Sequence, residues 1–193
     1  MKRFTVLSLL LLVTAAVSGQ KVDFTKEIVT IKIDTAHVII VAELWFRNTS
    51  AHPVNQTMFC PLPIRKEGLK RDSVSVLDVS ANTFIKGCRK MAAGLFYMLD
   101  FQPGEQKKVR MYDRDDHDIR SVTYQAKTQA DYWQGSIPSA SYTVRYDETL
   151  FVIDSTSIKP DGSATGTEGT SMTWKKTNFT PARDLTVWFH RKK

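Results

Sequence analysis

The chain has 193 residues, with 27 Lys and Arg against 20 Asp and Glu, which gives a formal net charge of +7. This length fits one sizeable domain or two small ones. Scattered basic residues indicate solubility rather than a nucleic-acid partner. The closing run His190 to Lys193 could contact anionic lipid or polysaccharide, although a solvated terminus is the favoured interpretation.

The first nineteen residues predict a secretory signal peptide. Lys2 and Arg3 precede the nearly apolar stretch 4–17, and small residues occupy most of 16–19. Charge, a short apolar run and small residues in this order are typical of such peptides. No later stretch contains the run of about 20 apolar residues that a membrane span needs. We expect cleavage after Ser18 or Gly19, which leaves residues 20–193 as a periplasmic or secreted chain without a membrane span.

Period-two patterns and β-branched runs dominate the rest, and no stretch shows sustained helical periodicity. In chain order, strands are predicted near 29–33, 37–47, 56–60, 74–79, 83–86, 96–101, 108–112, 119–127, 141–146, 150–153, 172–175 and 185–189. Residues 102–105, Gln-Pro-Gly-Glu, predict a turn. Short strands between turn signals predict an all-β fold, an immunoglobulin-like antiparallel β-sandwich in a single domain, 20–193.

Two segments interrupt the strand pattern. Pro61-Leu62-Pro63 must end a strand or mark the edge of a sheet, because proline cannot donate to a central ladder. Residues 159–171 contain no large apolar side chain, so they predict a flexible hairpin loop within the domain.

Cys60 and Cys88 are the two cysteines. An exported chain meets oxidising conditions, so we expect them to form a disulfide. Closing a loop of this length would stabilise the fold by about 3–4 kcal/mol. The spacing is far from Cys-x-x-Cys and gives little support to a redox or zinc role.

Several short motifs resemble known families. Residues 43–48 (Glu-Leu-Trp-Phe-Arg-Asn) and 58–63 (Met-Phe-Cys-Pro-Leu-Pro) resemble the opening of VIT-type domains. Residues 101–105 with Val109 and Tyr112 look like a later segment of the same layout. Tyr124, 133–137 and 174–181 resemble exported bacterial β-sandwich proteins of unknown function. Together these resemblances cover most of 27–189. They imply a non-enzymatic, interacting, exported domain, and neither family supplies a catalytic residue.

The nearest approach to a chemical motif is the run Asp113 to Asp118, with four carboxylates in six residues. Such a run could hold Ca²⁺, which prefers several oxygen ligands. It lacks the Gly and Glu offsets of an EF-hand loop. The favoured interpretation is a solvated acidic loop between two strands, and no metal ligand is assigned.

No catalytic residue or cofactor is predicted. The four histidines, at positions 37, 52, 117 and 190, lie in different predicted elements. No nucleophile elbow, zinc-binding helix or phosphate-binding glycine loop is present. We therefore expect a protein that is not an enzyme. An uncharacterised hydrolase is the least favoured alternative. It is kept because a triad is assembled in space and leaves no fixed sequence order.

The remaining hypotheses about function differ in the role that they give to the aromatic residues. Tyr132 and Trp133 could stack on a sugar as possible ligand contacts, although a core position is favoured for Trp133. Trp45 and Trp188 lie within predicted strands and are predicted to be core residues. The predicted function is to bind or organise another envelope or extracellular protein, through end loops or the sheet edge near Pro61. The alternative is a periplasmic or secreted protein that binds a glycan or small ligand through Tyr132 and Trp133.

Overall fold

A computed structural model describes residues 21–62, 71–91, 94–116, 120–133, 136–167 and 169–193. The predicted signal peptide, 1–19, lies outside the described residues. The strands are β1 (Val22–Ile33), β2 (His37–Asn48), β3 (Val54–Pro61), β4 (Arg71–Asp78), β5 (Thr83–Phe84), β6 (Arg89–Met91), β7 (Gly94–Phe101), β8 (Gln106–Asp116), β9 (Ser121–Tyr124), β10 (Ile137–Tyr146), β11 (Phe151–Thr156), β12 (Gly162–Gly166), β13 (Gly169–Phe179) and β14 (Leu185–Arg191). One helix, α1 (Ala126–Trp133), is seen in the described part. The all-β fold class is confirmed.

The strands in the described residues form three sheets. The main sheet has the order β12-β13-β10-β1-β2-β8-β4-β5, and two smaller sheets have the orders β11-β14-β9 and β3-β7-β6. Neighbouring strands are antiparallel except for β1 and β10, which pair in parallel. The pairing therefore differs from the predicted immunoglobulin-like pair of antiparallel sheets. The parallel pair joins strands more than a hundred residues apart, which local turn signals do not encode.

Alternation along the strands places one continuous core between the sheets. Val29, Ile31 and Ile33 of β1 are buried, and the residues between them are half-buried or exposed. The same core cluster contains residues from all three sheets and from α1. Trp174 is fully buried there, and its indole N–H donates to the carbonyl oxygen of Ile158 at 2.9 Å.

The tryptophan predictions are partly wrong. Trp45 is half-buried on β2, and Trp188 is 40% exposed on β14. Both lie within strands, as predicted. The residues directly before and after each tryptophan are buried, so the tryptophan itself faces away from the core. Strand membership says nothing about which of the two faces is buried.

The predicted turn and the predicted strand end agree with the structure. Glu105 N donates to Gln102 O at 3.0 Å, and Gly104 has a φ of 71°, so the predicted turn is confirmed. β3 ends at Pro61 and is an edge strand of its sheet, also as predicted. Residues 162–166 pair with β13 as the edge strand β12, so this segment forms a hairpin whose flexibility stays a prediction.

The structure does not contain the predicted disulfide. Cys60 is on β3 and Cys88 directly precedes β6, and β7 lies between these two strands. Strands on either side of a common neighbour are about 9–10 Å apart, whereas bonded cysteines need Cα atoms within roughly 4.4–6.8 Å. Cys60 Sγ instead lies 2.8 Å from Met111 Sδ, and the Cys88 thiol donates to Ile85 O at 3.4 Å.

Candidate functional site

The segment that carries Tyr132 and Trp133 forms a helix that the sequence analysis missed. Gln129 N donates to Gln125 O at 3.0 Å, and Asp184 Oδ1 accepts from Lys127 N at 2.9 Å near the helix start. A carboxylate at a helix N-terminus satisfies an otherwise unpaired N–H and suits the helix dipole. With eight residues, α1 is too short to show a periodicity that sequence patterns reveal. No helix in the described part is long and apolar enough to cross a membrane.

Trp133 is a core residue, which confirms the favoured interpretation. It is 6% exposed. Its ring centroid lies 5.1 Å from that of Phe46 and 6.0 Å from that of Phe24. These rings belong to β2 and β1, so Trp133 anchors α1 on the inner face of the main sheet. It is therefore not placed to stack on a sugar.

Tyr132 points to the other side of α1, toward β3. Its hydroxyl donates to the carbonyl oxygen of Thr57 at 3.2 Å, and its ring centroid lies 5.1 Å from that of Phe59. The Thr57 carbonyl belongs to the edge strand β3, so Tyr132 covers part of the edge expected to be open near Pro61. Strand addition at this point of the edge would displace α1.

The outer surface of the β3-β7-β6 sheet is apolar at its centre. Phe59 and Phe96 pack with ring centroids 4.8 Å apart, and the Thr57 hydroxyl contacts Met98 Sδ at 3.1 Å. Met98 and Met91 are 49% and 48% exposed. We call this surface the apolar face, and it consists of Phe59, Met91, Phe96, Met98 and Tyr132. Methionine and aromatic side chains are typical of surfaces that bind other proteins.

Gly94 allows the apolar face to close around Phe59. A Cβ at Gly94 would lie 2.4 Å from the carbonyl oxygen of Cys60 and 2.6 Å from the Phe59 ring. The glycine is opposite Pro61 in the β3–β7 register. The Phe59 ring therefore lies directly over backbone, and any side chain at 94 would push it out.

Polar residues border the apolar face. Asn55 and Asp100 are opposite each other on β3 and β7, and the Asn55 amide donates to the Asp100 carboxylate. Arg89 and Lys90 of β6 are exposed at the other edge. An apolar centre with a polar rim is the usual arrangement of a protein interface.

A second cluster lies in the core. Glu27 is fully buried on β1, the Tyr124 hydroxyl donates to its Oε2 at 2.9 Å, and the Tyr142 hydroxyl donates to its Oε1. Burial raises the pKa of Glu27 to about 7, and the two hydroxyls oppose that rise. Because Tyr124 is on β9, the cluster ties the β11-β14-β9 sheet to the main sheet. Glu27 can take up or release a proton near neutral pH.

The acidic run is not a solvated loop over its described part. Asp113 and Asp115 belong to β8 and are 1% and 9% exposed, in phase with buried Val109 and Met111. That prediction is wrong because the strand continues to Asp116. Asp118 lies outside the described residues. Within the described ranges, no group of three His, Cys, Asp or Glu side chains could hold a metal ion.

The histidines lie apart where they are described. His190 Nδ1 lies 2.7 Å from Asp154 Oδ1 on exposed strands. Among the described residues, no serine, threonine or cysteine joins this pair by a hydrogen bond. Within that part of the chain, the pair therefore has no nucleophile of the kind that a hydrolytic triad needs.

The sequence does carry signals for Glu27 and for the apolar face, neither of which the sequence analysis identified. Glu27 is two residues from Val29 in the period-two pattern, so its phase places it with the core residues of β1. Both phases of β7 are apolar between Leu95 and Leu99, which indicates a strand with an apolar outer face.

No family model matches the sequence, and no curated protein matches it. Among solved structures, the chain resembles one from Legionella pneumophila subsp. pneumophila str. Philadelphia 1, named a "putative nutrient binding protein". The TM-score is 0.68 at 15% sequence identity, and the match covers 88% of this chain and 67% of that one. At this identity the likeness shows a shared fold.

Proposed function

We propose that this chain is an exported, non-enzymatic binding protein that docks another cell-envelope protein on its apolar face. The observation that carries the proposal is that exposed Met91 and Met98 lie on the same face of the small sheet as the half-buried ring of Phe96. Large apolar side chains grouped on a soluble surface, with a polar rim, mark interaction sites. The name of the Legionella protein supports binding as the general activity.

A protein partner suits this face better than a glycan. Sugar recognition needs an aromatic ring with a free flat surface, and Trp133 is buried against Phe24 and Phe46. The Tyr132 ring packs between Phe59 and Trp133, and its hydroxyl is engaged by Thr57. What remains accessible is flexible methionine beside the half-buried ring of Phe96, and methionine adapts to protein side chains.

Site-specific photo-crosslinking in the native envelope tests the proposal. A benzophenone amino acid replaces Met98, and the same amino acid replaces Trp188 as the matched control. Trp188 is also an exposed large apolar residue, but it lies in the β11-β14-β9 sheet. We expect position 98 to crosslink one dominant protein and position 188 to leave that protein unlabelled.

The substitution Met91→Lys checks that the captured protein sits on the apolar face. It should reduce the position-98 adduct by roughly 5- to 30-fold, as a charge in an interface core costs about 1–2 kcal/mol. The melting temperature should stay unchanged, because Met91 is exposed. Equal adducts at both positions, or a carbohydrate adduct without protein, would contradict the proposal.

Export rests on residues 1–19 and has its own test. N-terminal sequencing of the protein recovered from its host should begin at or next to Gln20. An intact Met1 would contradict it.

A further inference from the structure

The two most exposed methionines in the described part of the chain lie on one face of one small sheet. Met98 of β7 and Met91 of β6 are 49% and 48% exposed. Met91 is opposite Gly94 of β7, so Met91, Phe96 and Met98 occupy alternate levels of the sheet and point to the same side. The Phe96 ring at the centre of the apolar face therefore has an exposed thioether on either side along the strand direction.

The other methionines within the described ranges are shielded from solvent. Met58 and Met111 are 0% and 2% exposed, and Met172 is half-buried against the core. Met58 gives the closest comparison, because it is on β3 of the same small sheet, opposite Tyr97, and faces the core. A reagent in solution therefore meets the two thioethers of the apolar face first.

The surroundings of Met98 suit an oxidised sulfur. The Thr57 hydroxyl lies 3.1 Å from Met98 Sδ. A thioether sulfur is a weak hydrogen-bond acceptor, whereas a sulfoxide is polar, so the same hydroxyl can donate to the sulfoxide oxygen. Both exposed thioethers are open to solvent in the folded protein, and their oxidation requires no opening of the core. Oxidation at these two residues therefore changes the chemistry of the apolar face and leaves the fold intact.

We propose that Met91 and Met98 are a modification site at which hydrogen peroxide closes the apolar face to its partner, an inference that rests on the proposed function. The sulfur lone pair attacks one oxygen of the peroxide and the O–O bond breaks. The departing hydroxide takes the proton of the transferred oxygen and leaves as water, so each sulfur loses two electrons and the peroxide gains them. Each apolar side chain becomes a polar sulfoxide, which must give up its hydration when a partner covers it.

Peptide mass spectrometry of the full mature chain, after limited treatment with hydrogen peroxide, maps the site. We expect sulfoxide to form at Met91 and Met98 about tenfold faster than at Met58 and Met111, because the buried pair reacts only when the core opens. The melting temperature should be preserved when the two exposed residues are oxidised. Equal rates at the exposed and the buried methionines, or unfolding that accompanies the first two sulfoxides, would overturn the proposal.

Photo-crosslinking from position 89 measures the effect on docking. Arg89 is exposed and opposite Phe96, so a benzophenone amino acid there samples the apolar face while both methionines stay in place. Peroxide treatment should lower the partner adduct about tenfold, because two sulfoxides lose hydration in the interface. An unchanged adduct would overturn this inference and leave the proposed function standing. Absence of any partner adduct from the untreated protein, at position 89 and at position 98, would reject both.

The double substitution Met91→Leu and Met98→Leu separates these two sulfurs from every other group that peroxide oxidises. Leucine is apolar and similar in volume but has no sulfur, so the variant should give the same adduct before and after treatment. Met172→Leu is the matched control, because it removes a half-buried methionine from β13 and should leave the response to peroxide as in the native protein. A tenfold loss of adduct in the double leucine variant would assign the response to another group, such as Cys88, and overturn the proposal.

Discussion

The substitution Glu27→Gln should stabilise the protein above neutral pH and leave its stability nearly unchanged below pH 4.5, the ordinary pKa of a glutamate side chain. Burial raises the pKa of Glu27 from 4.5 to about 7 in the folded state. Below pH 4.5 the carboxyl is protonated in both the folded and the unfolded state. Between pH 4.5 and 7 the folded state binds more protons, so the free energy of unfolding falls as pH rises. The pKa difference corresponds to about 3 kcal/mol, lost by the native protein and not by the variant.

Urea unfolding followed by tryptophan fluorescence, from about pH 4 to about pH 9, measures this directly. The difference in unfolding free energy between variant and native protein should grow by about 3 kcal/mol between pH 4.5 and about pH 7, and it should stay constant at higher pH. Tyr124→Phe is the companion variant. It removes a hydroxyl that lowers the Glu27 pKa, so the loss of stability should extend to higher pH. A difference that stays flat with pH would refute the assignment of Glu27 as a buried group that titrates near neutrality.

Further predictions concern two tryptophans, Gly94 and the two cysteines. Trp133→Ala should lower the free energy of unfolding by about 3–5 kcal/mol in urea titration, because it opens a cavity beside Phe24 and Phe46. Trp188→Ala should change it by only about 0.5 kcal/mol, and an equal effect of both would contradict the burial assignment. Gly94→Ala should destabilise by about 1–3 kcal/mol, since its Cβ meets the backbone of Cys60, and a melting temperature equal to the native value would count against this contact. Thiol titration of the denatured, unreduced protein should find two thiols, whereas none would show that Cys60 and Cys88 had been joined.

The strands and turns could be predicted because their signals are local. Val29, Ile31 and Ile33 alternate with polar residues, and this period of two survives in β1. Pro61 ends a strand wherever that strand lies, since it lacks an N–H. The helix α1 escaped prediction because the packing of Trp133 stabilises it more than its own eight residues do.

The candidate site was predicted only in part. Tyr132 does belong to a surface patch, but its contacts there, Phe59 and Thr57, come from a strand more than seventy residues away. The disulfide prediction failed for the same reason. Nothing near Cys60 or Cys88 in the sequence shows that β7 is inserted between them.

The sequence by itself determined the all-β class, most strand positions and the turns, because residue spacing and backbone chemistry act over a few positions. The tertiary structure decided which face of each strand is buried, and so whether Trp45 and Trp188 or Trp174 enter the core. It also decided that Glu27 meets Tyr124. These outcomes depend on which strands become neighbours, and strand pairing is set by long-range burial that no local pattern records.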